Sequence, residues 1–445
     1  MRNRSKFPRP AIGLATFGVA LLLVPAHGQN SGLWTEYRVH LGPDTSSHYG
    51  WVVENCGDLD GDGTADYIVG AYSASNASLQ PNGAAYLYSG ASGNLIREHY
   101  GSSINGNFGT NIAPMEDVDG DGVGDYAISE PGYPGPSGAH GRVWVYSGAN
   151  GSEIYSINHF ESLPYYGRSM TAIPDFNGDG INDLAIGDHG SSSHGWDFNG
   201  HVFLHSGADG SLLRTIHGVG DRQHFGFAVE NCGDMSGDGH PDLLVASRTM
   251  ENNVAHGSVR LYCGRTQSLL RTLNSPQVAA DQSNYFGYNM LSLGDWNGDG
   301  VAELAVGDQL ASSSTKLRCG AIYVFDGRTS TLIKTIYGDG ADRRLGFPLA
   351  AVGDIDGDGF RDFASAMLMR DGETFADGTV VFYSGADGRA VHRMHGQIPH
   401  GTLGRAIADA TDLNGDGRDE VLISAPGYGL GFGHMPELQI WSWQP

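Results

Sequence analysis

The sequence predicts an all-β chain closed into a ring, a seven-bladed β-propeller of four-stranded blades, and three observations carry that prediction. An acidic nine-residue loop returns seven times at near-constant spacing. A pair ending in glycine stands at a fixed distance before every loop. Short apolar runs between turn signals fill the remainder, with no sustained 3.6-residue period. A long fixed period denotes a repeat architecture whose units bury their faces against one another.

The first loop is Asp58-Leu59-Asp60-Gly61-Asp62-Gly63-Thr64-Ala65-Asp66, with oxygen-bearing side chains at positions 1, 3, 5 and 9 and glycines at 4 and 6. Its copies start at Asp117, Asp175, Asp234, Asp295, Asp354 and Asp412, at successive spacings of 59, 58, 59, 61, 59 and 58 residues. A hard cation such as Ca²⁺ takes six to eight oxygens, and a glycine-bearing turn converges several carboxylates on one point. The expected side-chain ligands are Asp58, Asp60, Asp62 and Asp66; Asp117, Asp119, Asp121 and Asp125; Asp175, Asn177, Asp179 and Asp183; and Asp234, Ser236, Asp238 and Asp242. The last three loops supply Asp295, Asn297, Asp299 and Glu303; Asp354, Asp356, Asp358 and Asp362; and Asp412, Asn414, Asp416 and Glu420. Position 7 adds a backbone carbonyl. Up to seven Ca²⁺ are expected, with the Ser236 loop among the weakest.

Each repeat resolves into four strands. The first follows Tyr49-Gly50, Phe108-Gly109, Tyr166-Gly167, Phe225-Gly226, Phe286-Gly287, Leu345-Gly346 or Leu403-Gly404, whose glycine always stands eight residues before the loop. The second leaves the loop, as in Asp66 to Gly70. The third ends at turns such as Ser206 to Gly210, where glycine and Asp accept positive φ. The fourth runs like Leu212 to Gly218. Third strands are apolar on both faces: Val202 and Leu204 on one, Phe203 on the other. Both faces must therefore be covered, as they are when sheets stack around an axis.

Closure is also legible. The last repeat ends at its third strand, Leu438 to Trp441, and the missing fourth lies at the other end of the chain, Glu36 to Gly42. Gly42 precedes Gly50 by the same eight residues that separate Gly101 from Gly109. Pairing of the two would remove the open sheet edge.

Residues 1–28 read as a signal peptide. Arg2, Arg4, Lys6 and Arg9 precede an apolar run from Ala11 to Val24, and Ala26-His27-Gly28 offers a cleavage site before Gln29. The run is short for a membrane span. Removal would leave 29–445 as one propeller, secreted, periplasmic or held at the cell surface, and a monomer is expected. The net charge of −24 disfavours nucleic acid and anionic membrane as partners. The expected ligand positions hold 24 of the 50 acids, so the acidity is concentrated where cations are expected. Four cysteines are too few for a disulfide scaffold. Cys56 and Cys232 share one register and read as small buried side chains, whereas any pairing of Cys263 and Cys319 stays open.

A Phe-Gly pair, an Asp-x-Asp-x-Asp-Gly-x-x-Asp loop and exits such as Ser424-Ala425-Pro426 resemble the FG-GAP repeat of the integrin α-subunit propeller, and bacterial-type secreted FG-GAP proteins more closely still. The resemblance covers all seven repeats. It implies Ca²⁺ in the loops between strands 1 and 2 and a protein or glycan ligand on the opposite face, through the loops joining strands 2 to 3 and 4 to 1. This chain differs from integrins in carrying the loop in every blade and in lacking an inserted domain.

On that opposite face, polar glycine-rich segments carry Tyr133, Trp196, Phe198, Tyr428 and Phe432, aromatic candidates for sugar stacking or protein anchoring. No nucleophile with its base stands out, and His189, His194 and His201 match no helical metal-ligand spacing. No catalytic residue is assigned. The expected function is adhesion or ligand binding with structural Ca²⁺; a lectin, or a polysaccharide lyase or hydrolase, is the alternative.

Overall fold

The computed structural model describes residues 34–443 except 77–79, 135–139, 160–164, 252–253, 278–283, 369–376, 399 and 428–433. The signal segment, Tyr428 and Phe432 thus lie outside the described residues.

Among the described residues, twenty-eight strands form seven four-stranded antiparallel sheets. Strand β1 (Trp34–Leu41) comes first in the chain, and β2 (Val53–Gly57) to β5 (Leu95–Tyr100) make the first blade. The pattern repeats through β6 (Ile112–Pro114) to β9 (Glu153–Asn158), β10 (Ser169–Ile173) to β13 (Leu212–His217), and β14 (Val229–Asn231) to β17 (Leu269–Asn274). It continues with β18 (Met290–Ser292) to β21 (Leu332–Tyr337) and β22 (Leu349–Ala351) to β25 (Ala390–His395). The seventh blade is β26 (Ile407–Asp409), β27 (Val421–Ala425), β28 (Glu437–Trp443) and then β1. Strand β1 runs antiparallel to β28 from Trp34 opposite Trp443 to Leu41 opposite Glu437, so the predicted closing strand is observed.

The innermost strands β2, β6, β10, β14, β18, β22 and β26 each touch the next, and β26 returns to β2. Between consecutive blades lies one apolar cluster, seven in all. Ile68 and Leu87 of the first blade pack on Phe108 and Ile128 of the second, while Val69 and Tyr86 face Leu422 and Leu438 of the seventh. The period-2 alternation of each strand thus feeds two different interfaces, which is why both faces had to be apolar.

The aromatic-glycine pair fixes where each first strand begins. Phe108 is fully buried, and the Gly109 N–H donates to Ser129 O at 3.0 Å. Gly109 has φ +80°, and a Cβ there would strike Ala84 O, so only glycine lets the neighbouring blade approach this closely. All four cysteines are buried free thiols.

Candidate functional site

The antiparallel meander places the seven acidic loops, between strands 1 and 2, at one end of the ring, beside the turns joining strands 3 and 4. In the first loop, glycine-rich backbone wraps the leading carboxylate. Asp58 Oδ1 accepts from Gly61 N at 2.7 Å and Asp62 N at 3.1 Å, and Oδ2 accepts from Gly63 N at 2.8 Å. The same three contacts recur at Asp117, Asp175, Asp234, Asp295, Asp354 and Asp412. These N–H groups hold the Asp295 carboxyl below its ordinary range.

Position 9 does a second job that its spacing alone does not reveal. Asp66 is buried, with Oδ2 accepting from Leu59 N at 2.8 Å and Oδ1 from Gly90 N at 2.9 Å. It ties the loop to the turn between strands 3 and 4, as do Asp125, Asp183, Asp242 and Asp362. Burial pushes Asp66 and Asp362 up to about 6 and raises the other five position-9 carboxyls as well. Where position 9 is Glu, the longer arm meets the position-3 amide: Asn297 Nδ2 donates to Glu303 Oε1 at 2.9 Å, and Asn414 Nδ2 to Glu420 Oε1 at 2.6 Å.

A further donor comes from outside the loop, at the end of the third strand. Ser89 Oγ lies 3.3 Å from Asp62 Oδ2, with Ser147, Ser206 and Ser384 in the same place on their own blades. The fourth blade puts a thiol there, Cys263 Sγ, 3.1 Å from Asp238 Oδ2. In the fifth the counterpart is the acid Asp326, and in the seventh Ser442, 3.0 Å from Asn414 Nδ2.

The donor set fits a divalent cation at four loops. Ligand atoms lie within 4.8 Å of one another in the groups Asp58/Asp60/Asp62, Asp117/Asp119/Asp125 and Asp354/Asp356/Asp358/Asp362, and in Asp238/Asp242/Cys263. The loops at Asp175, Asp295 and Asp412 form no such group among the described residues. Each has Asn at position 3, and its Nδ2 sits between the carboxylates, 2.8 Å from Asp179 Oδ2 in one case. Coordination there requires the amide to turn its oxygen inward.

The opposite end carries the other candidates. Trp196 and Phe198 are 38% and 37% exposed on the loop between β11 (Asp183–Asp188) and β12 (His201–His205). Tyr133 is half-buried, with the Arg142 guanidinium 3.8 Å above its ring, so one of its faces is already taken. His194 and His201 meet at His217, with ring centroids 5.0 and 4.6 Å away, whereas His189 packs on Tyr165.

Sequence reasoning missed the centre of this face. The residue after each paired glycine rings the mouth of an axial channel of about 800 Å³. Trp51, Phe227, Tyr288 and Phe347 supply aromatic rings, and Arg168 and Arg405 supply charge. Arg405 lies 3.6 Å over Trp51 and 4.7 Å over Phe347. The signal was present in the residue following each glycine, but it becomes a ring only once the blades close.

The FG-GAP repeat family matches residues 405–434. Integrin alpha-V of Gallus gallus is 29% identical over 201 residues, 43% of this chain and 19% of its own length. Integrin alpha-PS2 of Drosophila melanogaster is 26% identical over 271 residues, 55% of this chain and 18% of its own length. Human integrin alpha-IIb is 33% identical over 176 residues, 35% of this chain and 16% of its own length. The chain spans less than a fifth of each of these relatives.

Proposed function

We propose that this integrin-like FG-GAP propeller is a secreted or surface-held adhesion and ligand-binding module whose loops hold structural Ca²⁺. The observation that carries the reading is the recurrence of one wrapped carboxylate loop at one register in all seven blades of a closed ring. Each loop offers three or four carboxylates and a backbone carbonyl, which fits a hard cation and leaves little coordination space for a substrate. Holding a cation there pins the loop to the turn beside it. The test is thermal unfolding of the full chain in Ca²⁺ and in chelator. A large fall in Tm on chelation is expected; an unchanged Tm would sink the structural role.

Ligand binding is assigned to the other end, where the blades differ from one another and Trp196 and Phe198 stand exposed. Likeness to integrin α chains supports a protein ligand. Exposed aromatic rings on polar loops equally suit sugar stacking. Glycan arrays and pull-downs with wild type and a Trp196→Ala/Phe198→Ala variant separate the two. Binding that is retained at full strength by the variant would place the ligand elsewhere.

A further inference from the structure

One row of the third blade is unlike its counterparts. Asp188, His201 and His217 stand opposite one another across β11, β12 and β13, so their side chains share one face of the sheet, at the end of the ring away from the acidic loops. The equivalent rows hold Ala71, Ala84 and Tyr100 in the first blade and Asp308, Ala321 and Tyr337 in the fifth. Among the described residues, no other blade puts more than one Asp, Glu, His or Cys in this row. Such cross-strand neighbours lie about 4.5–5.5 Å apart at Cβ, near enough to share a ligand.

A further imidazole reaches the row from the loop between β11 and β12. Ser193 to Trp196 form a tight turn, in which Trp196 N donates to Ser193 O at 3.0 Å and both His194 and Gly195 have positive φ. Buried Asn199 clamps the turn: its Oδ1 accepts from Ser193 N at 2.9 Å, and its Nδ2 donates to Ser193 Oγ at 3.0 Å. His194 is thereby folded back onto the row. His194 Nδ1 and His201 Nε2 converge on one atom, Ser193 Oγ, at 3.0 and 2.9 Å. His217 stands edge-on to both rings, its centroid 5.0 Å from that of His194 and 4.6 Å from that of His201. Two imidazoles bound to one Zn²⁺ through bonds of about 2.0–2.1 Å have their centroids about 5 Å apart. Both spacings are already close to that.

We propose that His194, His201 and His217 form a site for a transition-metal ion of the Zn²⁺ class, separate from the seven loops. Imidazole nitrogens favour such ions over the hard cations that suit carboxylate loops. Closing on the ion takes an inward shift of about 1 Å by the two nitrogens now on Ser193 Oγ, and a turn of the exposed His217 side chain that carries one of its nitrogens to the same point. His201 is buried and acts as the fixed member, while His194 and His217 are exposed and free to adjust. Asp188, buried beside His201 in the row and 3.3 Å from His159 Nε2, holds a negative charge in the wall of the site.

Calorimetric titration of the full chain with ZnCl₂ in saturating CaCl₂ tests this, with elemental analysis after dialysis to count the bound metal. One Zn²⁺ per chain is expected for wild type. His194→Gln/His217→Gln changes only exposed rings and is expected to lose that ion. Cys263→Ser, which gives the fourth loop the serine of its neighbours, is expected to keep it. A wild type that binds no Zn²⁺, or a double Gln variant that binds it like wild type, overturns the proposal, as does loss of the ion in Cys263→Ser alone. Loading with CoCl₂ gives a second readout: the visible absorption of nitrogen-bound Co²⁺ is expected in wild type and absent from the double variant, and a wild-type spectrum identical to aqueous Co²⁺ would overturn the site. Zinc retained by a chain whose Tm ignores chelation of Ca²⁺ would sink the loop reading and leave this one standing.

Discussion

Asp66 and its Asp counterparts are held by N–H groups from two segments, so each acts on the fold whether or not a cation is bound. Asp66→Asn turns an NH₂ toward Leu59 N or Gly90 N and leaves a buried donor facing a donor. A loss of about 2 kcal/mol is expected. Urea unfolding in chelator isolates this cost from metal affinity, and equal midpoints for variant and wild type would refute it. A second residue carries a pH dependence. His99 stacks on Tyr146 at 4.2 Å, with Nε2 2.8 Å from Tyr126 Oη. Burial, reinforced by the charge of Arg97, holds it down at about 4. An unfolded histidine titrates near 6.5, so the neutral ring contributes its full stability above that pH and loses it as pH falls through about 4. The contribution lost by pH 5 is on the order of 1 kcal/mol, discounted for partial exposure. His99→Gln is expected to narrow the gap in Tm between pH 7 and pH 4.5; a gap of wild-type size would count against it. At this scale the sequence showed which residues carry oxygen, because spacing records that directly. It did not show that position 9 serves backbone amides, because the Gly90 turn reaches Asp66 only through the sheet.

Outer strands do more than complete their sheets. Arg97 on β5 donates to Gly148 O at 2.7 Å and Ala149 O at 3.1 Å, carbonyls of the turn on the next blade. Arg38 does the same to Gly90 O and Ala91 O, and Arg271 and Lys334 reach the equivalent turns at Gly327 and Asp387. These contacts latch blade to blade at the rim, where apolar packing thins out. Arg97→Ala is expected to lower stability by about 1 kcal/mol, because the bonds are charge-assisted but partly solvated. A denaturation midpoint shift of that size checks it. Phe108→Ala, in the cluster between the first two blades, should cost about 3–5 kcal/mol. A smaller loss there than at Arg97 would reverse the ranking of core over latch. Strands were legible because a two-faced apolar run must be covered on both sides. The latches were not, since an Arg on an exposed edge reads as a solvated charge until its neighbour is placed.

For the whole ring, seven independent loop sites at tenfold excess of Ca²⁺ over Kd would add about 1.4 kcal/mol each, about 10 kcal/mol together. That equals the entire stability of many domains. Salt should matter too: 24 acids at one end repel one another without counter-ions. Raising NaCl in chelator is therefore expected to recover part of the lost Tm, whereas a Tm in chelator that is insensitive to NaCl would argue against charge repulsion as a source of the loss. Ring closure could be read from the chain because the missing strand leaves a gap of known size. The channel mouth could not, because residues 51, 168 and 405 come to line one channel only through that closure.

The pairing of β1 with β28 has a mechanical consequence. Trp34 lies opposite Trp443, so chain leaving either strand emerges at one point on the rim. A force drawing those two ends apart loads this single antiparallel pair from its open end. It breaks cross-strand bonds one after another, as a zipper opens, instead of shearing them together. The first thing to yield under tension would be the clasp of the ring, while six complete blades stayed folded behind it.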